Sequence, residues 1–148
     1  MITSEPPVVV LGVAASDAHV VANRLIAFQL RNLGYHVVNL GACTPVAEFV
    51  ECLAAHPDAV ALVIGSVNGH AVEDLTPLRA AKDAGRVPCP MIVGGRLSVG
   101  SETDDKDAVA ALHDLGVDHV LRDVSALPPL LARLAAARRR RQPEEASR

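Results

Sequence analysis

Tryptophan is absent from these 148 residues, and one tyrosine and two phenylalanines are the whole aromatic complement. A core must therefore come from Val, Leu, Ile and Ala, the composition of parallel strands buried on both faces by helices. An excess of basic residues is lacking too: 14 Lys and Arg stand against 17 Asp and Glu, a formal charge of −3. That removes the basic face by which a domain binds nucleic acid. No apolar run reaches the ~18 residues of a membrane span, and the first seven residues, with Glu5, Pro6 and Pro7, lack the basic and apolar regions of a secretory leader. A cytoplasmic protein with neither a membrane nor a nucleic-acid partner is expected. Cys43, Cys52 and Cys89 are odd in number, far apart and outside any C-x-x-C pair, so neither a disulfide frame nor a zinc site is expected. They read as buried free thiols.

What the chain does have is an alternation of short apolar runs with longer amphipathic segments. Runs at residues 8–14, 36–40, 59–65, 91–93 and 119–121 are each followed by a stretch of helical spacing, the β-α pattern of a parallel sheet. The spacing predicts a first helix over 20–33, with Val21, Leu25, Phe28 and Leu33 as its apolar face and Gly34 just past its end. Thr44 and Pro45 read as N-cap and first residue of a second helix that Pro57 stops. A third helix is expected from Val72 to Gly85, a fourth from Lys106 to Gly116, and a fifth over 127–141. Right-handed crossovers make of this one α/β domain, a flavodoxin-like or Rossmann-like five-stranded parallel sheet in the order 2-1-3-4-5, with helices on both faces. Residues 1–7 are assigned to an N-terminal tail, 8–137 to the domain, and 138–148, which open with four arginines, to a basic, then polar, disordered tail.

In this topology ligands bind at the strands' carboxyl ends, at the switch point between the first and third strands. Three loops at that edge are small or glycine-rich: Ser16-Asp17-Ala18-His19, then Gly65-Ser66-Val67-Asn68-Gly69, then Gly94-Gly95-Arg96-Leu97-Ser98-Val99-Gly100. Glycines let a ligand approach the backbone, and Ser66 and Asn68 can hydrogen-bond it, so a deep slot is expected there. In the first loop a carboxylate stands two residues before an imidazole. A ligating imidazole needs its other N–H held by an acceptor, which makes His19 a metal-ligand candidate and Asp17 its orienter. One loop cannot close a metal site, so the metal must arrive inside a cofactor with an open axial position. Alone, Asp17 reads as an N-cap of the first helix and Gly94-Gly95 as a tight turn. His70 and Cys43 fall near the same edge, while His36, His56, His113 and His119 read as surface or structural residues.

Asp17-Ala18-His19, then Ser66 at the end of the third strand, then Gly94-Gly95 after the fourth, resemble the signature of cobalamin-binding domains that use a protein histidine as lower axial ligand. One branch is resembled further, by Val-Leu-Gly-Val-Ala-Ala-Ser-Asp-Ala-His-Val-Val-Ala-Asn at 10–23, by Leu-Gly-Tyr-His-Val-Val-Asn-Leu-Gly at 33–41, and by Ile-Val-Gly-Gly-Arg-Leu-Ser-Val-Gly at 92–100. These are similar to the small subunit of glutamate mutase (methylaspartate mutase). The resemblance, over residues 8–135, implies that His19 ligates cobalt in place of the cofactor's own dimethylbenzimidazole, with Asp17 polarising its far nitrogen. It implies cofactor contacts from Ser16, Ala22, Ser66, Val67, Gly69, Gly94, Gly95, Val99 and Gly100. The implied activity is that of an adenosylcobalamin-dependent carbon-skeleton mutase, an isomerase interconverting glutamate and 3-methylaspartate by radical chemistry. This chain would be its cofactor-binding subunit, with no catalytic residue of its own and silent without a larger barrel-type subunit. Three departures accompany the resemblance: Ala22 stands where the motif has glycine, Asn68 where an aromatic residue is common, and Arg96 where Asn is common. A corrinoid carrier, a cobalamin-responsive binding module and a degenerate family member that has lost cobalamin are the alternatives.

Overall fold

A computed structural model describes residues 5–66, 69–96 and 102–146. Strands β1 (Val8–Val13), β2 (His36–Asn39), β3 (Ala61–Ser66), β4 (Met91–Gly95) and β5 (His119–Leu121) form one sheet in the order β2-β1-β3-β4-β5. Every neighbouring pair is parallel, as the sequence predicts. Because side chains alternate along a strand, β1 feeds both sides of the sheet. Val8 and Val10 join Phe49, Leu53, Leu75, Leu78 and Leu112 on one face, and Val9 and Leu11 join Ala27, Leu30, Leu130 and Leu131 on the other. Helices α1 (Val21–Asn32) and α6 (Leu127–Ala146) supply the second face, and the slot described below opens between them. Helices α2 (Val46–Ala55), α3 (Ala71–Leu75), α4 (Leu78–Asp83) and α5 (Glu102–Asp114) complete the element order. No helix among the described residues is long and apolar enough to cross a membrane.

Five local expectations are corrected. In α1 the inward stripe is Asn23, Ala27 and Leu30, whereas Val21, Leu25, Phe28 and Leu33 are 71%, 63%, 65% and 56% exposed. Asn23 made the true inner stripe look polar; it is buried because its amide is paired with Asn39 from the end of β2. Thr44 does not cap α2, whose N-cap is Pro45 with extended backbone; the Thr44 hydroxyl donates instead to the Gly41 carbonyl at 3.0 Å. The single third helix is two, broken at Thr76-Pro77, since a proline ring lacks the N–H and collides with the carbonyl four residues back. Of the cysteines only Cys89 is buried; Cys43 is exposed and Cys52 half-buried. The last helix, read from sequence as ending at Arg141, continues to Ala146 through the segment assigned to a tail.

Burial pushes the Cys89 thiol from 9.0 up to about 11, so it stays protonated in the folded chain while the same group ionises earlier once unfolded. The stability this contributes is full below about pH 9 and falls as the pH rises towards about 11. A thiol reagent applied to the native protein is expected to modify Cys43 first and to reach Cys89 only after unfolding. Mass spectrometry of partially labelled protein reads the order directly.

Candidate functional site

The loop leaving β1 is suspended between the two neighbours of that strand. Ala14 N–H donates to the Gly65 carbonyl at 3.0 Å, on the β3 side, and Cys43 N–H donates to the Asp17 carbonyl at 3.0 Å, on the β2 side. Cys43 achieves this in the left-handed region, at φ 55°, a conformation that costs a non-glycine residue of order 1–3 kcal/mol. At the end of the loop the Asp17 side chain is fully buried, and its Oδ1 accepts from the His19 backbone N–H at 2.9 Å and lies 2.6 Å from His19 Nδ1. A neutral imidazole that donates from Nδ1 to this oxygen presents its Nε2 lone pair for coordination. The side chain of His19 is 67% exposed. Asp17 therefore serves His19 and not the helix: the N-cap of α1 is Val20, without a side-chain cap.

Behind His19 lies a slot of about 580 Å³, in the range of pockets that enclose a drug-sized group. Its floor is the carboxyl end of β1, β3 and β4, one wall is α1, and the opposite wall is the segment from Leu121 to the start of α6. Two glycines shape the floor. A side chain at Gly94 would meet the Leu121 carbonyl oxygen at 3.2 Å, and one at Gly95, whose φ is +119°, would run into the Ser66 carbonyl. Ser66 is among the residues lining the slot and is itself buried, and its Oγ has no hydrogen-bond partner among the described residues. A buried hydroxyl left unpaired costs roughly 1–3 kcal/mol, so a polar partner reaching Ser66 would relieve that cost. Across the mouth, the Ser125 N–H holds the Asp123 carboxyl below its usual range.

Among the residues singled out in the sequence, Asp17, His19, Ala22, Ser66, Gly94 and Gly95 are brought together as lining of this slot. Ser16 and Gly69 are not part of the lining; Ser16 instead donates to Asp74 of α3. Val67, Val99 and Gly100, with Asn68, lie outside the described residues. Arg96 is exposed just past β4, and Cys43 acts through its backbone on Asp17. Sequence reasoning missed the Asn23–Asn39 pair, in which each amide donates to the other at 3.0 and 2.7 Å and α1 is pinned over the slot. The signal was an asparagine inside a helix's apolar stripe, which needs a partner to be buried. It also missed the wall at 121–127, which no motif marks.

The donor set suits a metal that arrives with most of its coordination filled. No group of three or more His, Cys, Asp or Glu side chains among the described residues could hold a bare ion. His19 offers one nitrogen to a slot that is also lined by Ser66 and by the glycine backbone of Gly94 and Gly95.

Comparison with known proteins agrees with this geometry. Residues 7–111 match the family described as the B12 binding domain. The glutamate mutase sigma subunit of Halobacterium salinarum is 40% identical over 114 residues, covering 77% of this chain and 75% of the relative. Glutamate mutase sigma subunit 1 of Haloarcula marismortui is 37% identical over 115 residues, covering 78% and 75%. Among solved structures, a cobalamin-binding protein from Desulfitobacterium hafniense superposes with a TM-score of 0.70 at 17% identity, over 88% of this chain and 59% of that one. At that identity the likeness establishes the fold.

Proposed function

The chain belongs to the B12-binding domain family, in the branch of the glutamate mutase sigma subunits, and we propose that it holds adenosylcobalamin with His19 as the lower axial cobalt ligand. The observation that carries this reading is the conjunction of the Asp17–His19 pair at the mouth of the slot with the unpartnered Ser66 hydroxyl inside it. Asp17 holds the proton at Nδ1, keeps Nε2 turned to the cofactor and stabilises the positive character an imidazole acquires on ligation. Ser66, Gly94 and Gly95 would receive the nucleotide tail in the slot, the two glycines letting it lie against backbone. By the family resemblance Val67, Gly69, Val99 and Gly100 would also contact the cofactor, with Ser16 supporting the ligand loop.

When bound, this cofactor supplies a cobalt–carbon bond that breaks homolytically to start radical rearrangement; the protein supplies binding, ligation and presentation. Substrate contacts belong to a larger, barrel-type catalytic subunit covering the strands' carboxyl ends, and the pair acts in the cytoplasm as a glutamate-to-3-methylaspartate isomerase. The chain alone is silent.

Absorbance titration of the purified protein with hydroxocobalamin and with adenosylcobalamin tests the reading. Saturable conversion to a histidine-ligated, base-displaced spectrum is expected. The substitution Ala22→Gly is expected to change the affinity by less than about tenfold, because Ala22 is exposed at the slot rim and α1 already begins at Val21. Absence of binding at tens of micromolar in wild type and in Ala22→Gly alike would overturn the assignment and leave a degenerate domain. Addition of the larger subunit of a glutamate mutase to the loaded chain is then expected to yield 3-methylaspartate from glutamate, and neither chain to do so by itself.

A further inference from the structure

Two consecutive residues of the ligand loop are held from opposite sides of β1. On the β2 side, Cys43 N–H grips the Asp17 carbonyl. On the β3 side, Asp74 Oδ2 accepts both the Ser16 backbone N–H at 3.2 Å and the Ser16 hydroxyl at 2.6 Å, a link across 58 residues of sequence. Asp74 is itself firmly seated. It lies in α3 next to Leu75, which like Ala71 is fully buried, its N–H donates to the His70 carbonyl at 3.0 Å, and the helix ends one residue later where Pro77 approaches. The position of Asp74 is thus fixed by the core beneath it and not by the loop it holds.

We propose that Asp74 is a positioning residue for the ligand, acting on His19 through Ser16 and Asp17. This rests on the reading of His19 as the cobalt ligand. A carboxylate suits the task because it is an acceptor only, and an ionised acceptor makes stronger hydrogen bonds than a neutral one. With Ser16 held by α3 and Asp17 held from β2, the stretch between Ala14 and the start of α1 loses freedom before a ligand arrives. His19, held to one Asp17 oxygen by its backbone N–H and by its imidazole Nδ1, inherits that placement. Removing the Asp74 carboxylate leaves the Asp17–His19 pair intact but takes away the hold of α3 on Ser16, so the loop gains freedom and ordering it again falls to the binding step.

The test is a hydroxocobalamin titration of wild type, Asp74→Ala, His19→Ala and the double variant, with Asp74→Asn and Ser16→Ala as milder companions. Asp74→Ala is expected to weaken binding roughly three- to tenfold and to leave part of the bound cofactor without the histidine-ligated spectrum. Asp74→Asn, which keeps an acceptor oxygen, stays closer to wild type, and Ser16→Ala, which keeps the backbone donor, falls between. In the His19→Ala background the Asp74→Ala change is expected to add nothing, because its effect runs through the imidazole. Equal affinity and spectrum in wild type and Asp74→Ala would overturn the proposal. So would the same fold-loss in both backgrounds, which would mean that Asp74 only supports the fold. A wild type that binds cofactor without histidine ligation would overturn the His19 assignment and this proposal with it, an outcome separable from the other two by the wild-type spectrum.

Discussion

Replacing His19 with alanine is expected to abolish the histidine-ligated spectrum of the bound cofactor and to weaken hydroxocobalamin binding by one to two orders of magnitude. The spectroscopic loss is complete because no second histidine stands among the described residues that line the slot, so water or the cofactor's own base takes the axial position. The affinity loss is smaller than a metal–nitrogen bond suggests. Ligation by His19 exchanges one nitrogen for another, and only the difference between a pre-oriented imidazole and the cofactor's tethered base counts. Loss of a group that merely orients a metal ligand typically costs about 10–100-fold in affinity, and loss of the ligand itself, offset by a substitute, falls in that same range. Because the His19 side chain is largely exposed, the variant is expected to keep the wild-type melting temperature to within a few degrees. The Asp17 carboxylate, buried and relieved of one of its contacts, is the source of whatever difference appears. Titration at fixed wavelength beside a thermal melt separates the two effects.

Gly95→Ala is expected to produce the larger structural damage. The position combines φ +119° with a Cβ direction aimed at the Ser66 carbonyl oxygen and within 3.0 Å of its carbon. Neither backbone can step aside cheaply, since Gly95 and Ser66 are register partners of the β3–β4 ladder. An unfavourable backbone conformation and an overpacked contact each cost about 1–3 kcal/mol, so a total near 3 kcal/mol or more is expected. For a chain of this length that is roughly a 10 °C fall in Tm. The slot floor moves with it, so whatever protein remains folded is expected to bind cobalamin poorly even with His19 in place. Gly34→Ala is the contrast: φ there is +98° but no atom lies within 4 Å of the added carbon, so it bears the conformational cost without the collision. A urea melt of both variants with the wild type checks the difference.

The parallel sheet was legible because strands without aromatics or charges suit a sheet covered on both faces by helices, and because glycine or proline punctuates nearly every junction. Asp17, His19, Ser66, Gly94 and Gly95 were legible because the strands' carboxyl ends gather the loops that follow them. What periodicity misjudged was α1, where two apolar stripes compete. Val21, Leu25 and Phe28 outweigh Ala27 and Leu30 on any hydrophobic scale, yet the inner stripe wins because small Ala27 permits close approach and Asn23 finds its amide partner. Such a choice depends on a residue 16 positions away, which no local window contains. The Thr44 hydroxyl was misassigned for the same reason: the carbonyl it meets belongs to the bend after β2, not to the helix. The far wall of the slot, at 121–127, carries no motif because it contributes shape and backbone more than chemistry.

The ligand and its orienter are two residues apart, whereas the walls of the slot come from opposite ends of the chain, α1 and the segment leading into α6. During synthesis the Asp17–His19 pair therefore leaves the ribosome about a hundred residues before the pocket behind it can exist, an interval of roughly 5–20 s at ordinary elongation rates. Leu130 and Leu131 must dock on the face that α1 shares before any group can be gripped inside. Until then a nascent chain displays a competent imidazole with no slot behind it, so firm capture of a cofactor waits for the segment that leads into α6.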